Sequence, residues 1–233
     1  MKTNTIYENG TYLSENPTWH EEDSPWKAKQ IVRILHDNNI NPSTVCEIGC
    51  GAGEILNCLR NDYFTNAHFT GFELSSQAME ICKKKEKQNL LFYLDDLLDE
   101  EDALFDVVMA IDVLEHVENY FEFLRKLKAK GEYKIFHIPL DLSVQTVLRC
   151  APILESRASV GHIHYFTKET ALATLKDTGY EIVDYFYTNG SIEILNRGWK
   201  TNLMKLPRNI LFFIHQDLAV RILGGFSLLV LAK

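Results

Sequence analysis

Val45-Cys46-Glu47-Ile48-Gly49-Cys50-Gly51-Ala52-Gly53 is the stretch that decides how the rest of the chain reads. A short apolar run ends beside an acid, and glycines follow at every second position. Thr44 to Ile48 suits a buried strand, and Glu54 to Arg60 suits the start of a helix. A glycine turn between them bends tightly and lets a ligand approach, because no Cβ stands in the way. The glycines are spaced G-x-G-x-G, whereas a dinucleotide fingerprint needs G-x-G-x-x-G, and no G-K-[ST] follows as a phosphate loop requires. Glu47 would repel a bound phosphate.

The pattern repeats outward from this turn. Ser24-Pro25 reads as a helix start, with Ser24 as N-cap and Ala28, Ile31, Val32 and Leu35 on one face. His68 to Leu74 is a second strand closing on Glu73, where a carboxylate can accept from both hydroxyls of a ribose. Ser75 or Ser76 then caps a helix that runs into a solvated Lys83-Lys84-Lys85 face. Asn89 to Leu94 is a third strand ending in Asp95-Asp96. Phe105 to Ile111 is almost continuously apolar, as a parallel strand covered on both faces should be. A helix marked by Tyr120, Leu124 and Leu127 leads to a fifth strand, Glu132 to Pro139. This alternation predicts a parallel, doubly wound α/β sheet. Thr167 caps a later helix reaching Thr178, and Tyr180 to Thr188 is a sixth strand. Phe226 to Ala232 is the last.

The glycine turn with its leading acid resembles motif I of the class I S-adenosylmethionine (SAM)-dependent methyltransferases. The stretch FDVVMAIDVLEHV (105–117) is similar to motif IV of small-molecule members such as the ubiquinone-pathway enzymes, and HYFTKETALATLKDTGYEIVDY matches their late helix–strand unit. The resemblance implies a seven-stranded, mostly parallel, Rossmann-like sheet with helices on both faces. Its final strand is inserted antiparallel between the fifth and sixth. It implies SAM as cofactor and S-adenosylhomocysteine as product. The cofactor contacts it implies are Glu47, Gly49, Cys50, Gly51, Gly53, Glu73, Leu74, Ile111 and Asp112, with Asp95 or Asp96 at the adenine. Trp19, in an irregular arm over residues 1–23 that also holds Tyr12 and His20, either closes over the ligand or pins the arm to the domain. No Asn-Pro-Pro-Tyr-type sequence is present, which counts against methylation of an exocyclic nucleobase amine or a glutamine amide.

Composition sets outer bounds. The chain has 233 residues, 46% of them hydrophobic, enough for one domain with a sizeable core, here 24–233. A net charge of −8 argues against a broad nucleic-acid surface. Five cysteines without a C-x-x-C pair suit free thiols in a reducing cytoplasm. No signal peptide or membrane-spanning run is visible, so no stable membrane insertion is expected.

The acceptor side lies in two insertions, about 141–165 and 189–224. Three histidines are candidate bases: His116 after the fourth strand, and His162 and His164, which would share a face on a strand-like segment. Each has a competing structural role, fixing its turn or loop by hydrogen bonds. An H-x-H pair without a nearby third ligand is a weak metal signal, so no metal is expected. Leu206-Pro207 reads as the start of a helix to Leu223, apolar beyond one stripe. Packing on its own domain is the default; capping the pocket, a homodimer face and, least favoured by the overall acidity, contact with a membrane surface are the alternatives. The expectation is methyl transfer to a small-molecule acceptor, with a sugar-type hydroxyl preferred over N-methylation. A catalytically silent SAM-binding module and an NAD-linked oxidoreductase are the competing classes. The acids at 47, 73 and 95–96 oppose the first, and the glycine spacing opposes the second.

Overall fold

A computed structural model describes residues 16, 18–19, 21–100, 103–190 and 199–233. Tyr12, His20 and segment 191–198 lie outside the described residues. The first helix, α1 (Ser24–Asp37), leads into β1 (Thr44–Ile48), and α2 (Glu54–Asp62) follows the glycine turn. Then come β2 (His68–Phe72), α3 (Ser76–Cys82), β3 (Leu90–Tyr93), β4 (Phe105–Ile111), α4 (Tyr120–Leu127) and β5 (Gly131–Pro139). Two short helices, α5 (Val144–Arg149) and α6 (Ala151–Ser159), precede α7 (Lys168–Asp177) and β6 (Ile182–Thr188). The chain ends through α8 (Trp199–Ile214), α9 (Gln216–Leu223) and β7 (Ser227–Ala232).

The seven strands run in the order β3-β2-β1-β4-β5-β7-β6. Pairing is parallel from β3 through β5, and β7 is antiparallel to both β5 and β6. Successive strand residues point to opposite faces. Cys46, Ile48, Val108, Ala110, Phe136 and Ile138 therefore enter one apolar layer. Val45, Val107, Met109 and Ile135 enter the other. Both faces are buried, which is why β4 reads as continuously apolar. The expected strand insertion is thus present, with β4 at the bounds read from sequence.

Four local expectations change. The 3-10 turn Glu21–Asp23 runs directly into α1, so Asp23, in helical backbone and without a side-chain cap bond, takes the place assigned to Ser24. The helix expected over 206–223 is two helices, and Pro207 lies inside α8 instead of opening it. The break falls at His215, which is extended (φ −158°) and accepts from the Leu218 N–H. The lysine run is only partly solvated. Lys85 bonds the Ala52 carbonyl at 2.8 Å and Glu54 at 3.0 Å, and also pairs with Glu21, fastening the glycine turn to the end of α3. Finally, residues 161–166 form no strand; Ile163 and His164 donate their N–H groups to the Glu115 carbonyl.

Candidate active site

β1 is the switch point of the sheet, with β2 on one side and β4 on the other. Crossovers diverge there and leave a crevice at the carboxyl ends of the strands. A cavity of about 500 Å³ occupies it, within the usual small-molecule range. Of the residues expected from sequence, Trp19, Glu47, Gly49, Cys50, Gly51, Glu73, Leu74, Asp95, Asp96, Ile111, Asp112, His116 and His162 line it. Gly53 and His164 are not among its lining residues.

The glycine loop is shaped from the β2 side. Gly49 (φ +67°) and Cys50 donate to the Phe72 carbonyl at 2.8 and 3.1 Å. Gly51 donates to Glu73 Oε2 at 2.8 Å, while Glu73 Oε1 accepts from Leu74 at 2.9 Å and Ser75 at 2.8 Å. Burial pushes the Glu73 carboxyl up, and these N–H groups pull it back. A carboxylate offers about four acceptor sites, so it can still receive a hydroxyl. Gly53 acts behind the loop: at φ +73°, an added Cβ would meet the Phe92 ring at 2.5 Å. Its backbone conformation and packing are enough to require glycine, whether or not a ligand reaches it.

Glu47 is 2% exposed and faces the cavity, and its Oε2 has no hydrogen-bond partner. Burial raises its carboxyl to about 8, opposed by Lys27 and reinforced by Glu73 and Asp112. Asp112 holds a left-handed backbone (φ +55°) and is clasped by Lys27 Nζ at 2.7 Å and His137 Nδ1 at 2.5 Å. Burial would raise it, but His137 and Lys27 together hold it well below the usual carboxylate range. His137 Nε2 in turn lies 2.8 Å from Thr188 Oγ1. Asp112 therefore braces α1, β4 and β5 while lining the cavity. Lys27 and His137 also line the cavity and were not singled out by the sequence.

At the acceptor side the turn after β4 meets the loop from α6. His116 Nδ1 lies 3.1 Å from the Gly161 carbonyl, and His162 Nδ1 lies 2.7 Å from Asp141 Oδ2. Both Nε2 atoms lie 3.8 Å from Glu115 Oε1. Glu115 is fully buried, and neither carboxylate oxygen has a hydrogen-bond partner. Burial, and then the neighbouring His162, lower His116 to about 4, so its ring is neutral at neutral pH. His164 points elsewhere, its ring edge-on to Tyr120 at 4.6 Å. Because segment 161–166 is not a strand, the two alternating histidines do not share a face. Glu115, His116 and His162 instead offer ligand atoms within 4.8 Å of one another. That grouping departs from the metal-free expectation, which sought a third ligand beside His162 and His164. Glu115 was visible only as part of the motif, and Asp141 only as an acid following a strand end.

A methyltransferase-domain family model matches residues 19–185. A ubiquinone biosynthesis O-methyltransferase from Rickettsia felis is 31% identical over 110 residues, covering 45% of this chain and 44% of that protein. The chain thus spans less than half the length of that curated relative. Magnesium protoporphyrin IX methyltransferase from Synechocystis PCC 6803, solved with bound SAH, superposes with a TM-score of 0.60 at 18% identity, over 89% of this chain and 82% of that one. N-methyltransferase NodS from Bradyrhizobium japonicum WM9, in complex with SAH, gives 0.58 at 16% identity, over 95% and 97%. These two structures are like this one in fold.

Proposed function

Because this chain belongs to the methyltransferase-domain family, we propose that it moves a methyl group from SAM to a hydroxyl of a small molecule. The observation that carries the reading is Glu47: a buried carboxylate oxygen without a partner, aimed into the crevice. A cationic ligand group favours and satisfies the ionised form of that oxygen, whereas a pyrophosphate offers it no compensating charge. The crevice fits SAM in its other parts as well. Glu73, held by the glycine loop, takes the ribose, and Gly49, Cys50, Gly51, Leu74 and Ile111 line the same crevice. Of the two acids after β3, Asp96 accepts from Leu98 N–H as a cap at 3.0 Å, and Asp95 is the exposed one. The adenine amino group is assigned to Asp95 on that ground. When bound, SAM supplies a methyl already activated on a positively charged sulfur. The chain's own residues have to align the acceptor, exclude water and manage the hydroxyl proton. That last task falls to the cluster of Glu115, His116 and His162.

The O-methyltransferase relative and the bound SAH of the structural neighbours support this reading. The sugar preference drawn from sequence gains nothing from them. Trp19, Trp26 and Phe226 in the cavity wall favour a planar ring bearing the hydroxyl. Insertion 141–165 serves as a substrate cap, supported by Asp141, Val160 and His162 in the lining. The face of α8 that exposes Ile210, Phe213 and Ile214 is the proposed self-association surface. Among the described residues no helix is long and apolar enough to cross a membrane. The cytoplasmic placement rests on the five free cysteines. The test is transfer of label from methyl-labelled SAM into a pool of hydroxylated ring compounds. Methylated product supports the reading; SAM binding without any labelled product would instead identify a silent module.

A further inference from the structure

We infer that Glu115, His116 and His162 form a site for a divalent transition metal of the zinc class. Glu115 is fully buried, and neither of its carboxylate oxygens has a hydrogen-bond partner among the described side chains. Two imidazoles converge on one of those oxygens, each Nε2 at 3.8 Å. Their orientation is fixed from behind. Asp141 Oδ2 accepts from His162 Nδ1–H, and the Gly161 carbonyl accepts from His116 Nδ1–H, which turns both Nε2 atoms toward Glu115. An acceptor behind each ligating imidazole is the usual outer-shell arrangement of metal-bound histidine. Two nitrogens and one carboxylate, with a position left for an outside ligand, match catalytic zinc sites better than magnesium sites, which prefer oxygen donors. Donors about 2.1 Å from a tetrahedral ion lie roughly 3.4 Å apart, so the cluster closes by about half an ångström on each Glu115–histidine edge and by up to about 1.4 Å between the histidines.

Glu115, His116 and His162 all border the cavity, so the open position faces the acceptor. This last point rests on the proposed methyl-transfer reading: the outside ligand is then the oxygen of the acceptor hydroxyl, which the cation polarises so that its proton passes to solvent. The histidines are ligands in this account, in place of the base role expected from sequence.

The experiment uses the full chain, freed of metal with a chelator and titrated with Co²⁺, then competed with Zn²⁺. One equivalent of Co²⁺ should bind with the intense visible absorption of a low-coordinate site and be displaced by Zn²⁺. Glu115→Gln and His162→Ala should each weaken binding at least tenfold, and Asp141→Asn roughly 10–100-fold through its orienting role. Equal Co²⁺ binding by wild type and the double variant Glu115→Gln/His162→Ala would overturn the site. Should those variants fail to fold, ¹⁵N imidazole spectra of the wild type decide: Zn²⁺ must move the Nε2 signals of two histidines, and unmoved signals refute it. Titrating SAM into the metal-free protein tests the methyl-transfer reading separately, since metal binding requires no SAM.

Discussion

Lys27 Nζ lies 2.7 Å from the Asp112 carboxylate, joining the first helix to the turn that closes β4. The same carboxylate meets His137 from β5 at 2.5 Å. Removing the cation leaves His137 as the remaining partner of a largely buried carboxylate, so Lys27→Met should destabilise the chain by about 1.5–3 kcal/mol, the range for a hydrogen bond to a charged group. Asp112 is held below its ordinary value, so its contribution is full above that value and lost as pH falls toward the depressed one. Denaturant unfolding of Lys27→Met measured at neutral and acid pH checks both points. A loss under 1 kcal/mol at neutral pH would show that the clasp is incidental.

Glu47 titrates in the opposite sense. Its carboxyl sits at about 8 in the folded chain against an ordinary 4.5. Between those values the folded state holds a proton that the unfolded state has released, so stability falls as pH rises through this window. Glu47→Gln should flatten that slope and be more stable than wild type at pH 8. A cationic ligand favours the ionised form, so SAM affinity of wild type should climb over the same range. Calorimetry in buffers of different ionisation heat should detect proton release on binding, absent in the variant.

Gly53→Ala should cost roughly 1–2 kcal/mol for the left-handed backbone and a further 1–3 kcal/mol for displacing Phe92. Urea unfolding reads the sum. Wild-type stability in this variant would mean that Phe92 yields freely and that the loop tolerates another conformation.

Glu73→Ala should weaken SAM binding by about 1.5–3 kcal/mol, the range for a hydrogen bond to a charged group. Glu73 also fastens Gly51, Leu74 and Ser75. SAM analogues lacking ribose hydroxyls separate the two roles: the variant should lose its discrimination against them, whereas loop loosening alone would preserve it.

The sheet was legible because periodic signals report it. β4 is a run buried from Val107 to Ile111 whose bounds sequence and structure share, and the glycine turn announces itself by spacing. Single polar residues behave otherwise. Lys27 sits on a helix whose face toward the crevice depends on how α1 docks, and His137 on a strand that also carries Glu132 and Lys134, so nothing local singles it out. Their meeting at Asp112 is a tertiary event without a local pattern. His164 was misplaced because alternation implies a shared face only on a strand, and the Glu115 carbonyl holds that segment as a loop. The packing demand on Gly53 was not legible, because a glycine needed for packing and one needed for a ligand look alike in sequence. Pro207 shows the same ambiguity: proline suits a first turn, yet here the helix begins earlier and carries it inside.

Isothermal titration of the chain with SAM, SAH and NAD tests the central claim most directly. One-to-one binding of SAM and SAH, lost on combined substitution of Glu47 and Glu73 by glutamine and alanine while NAD stays unbound, is the result the account predicts. Binding of NAD in preference to SAM, or SAM affinity unchanged in the double variant, would contradict it.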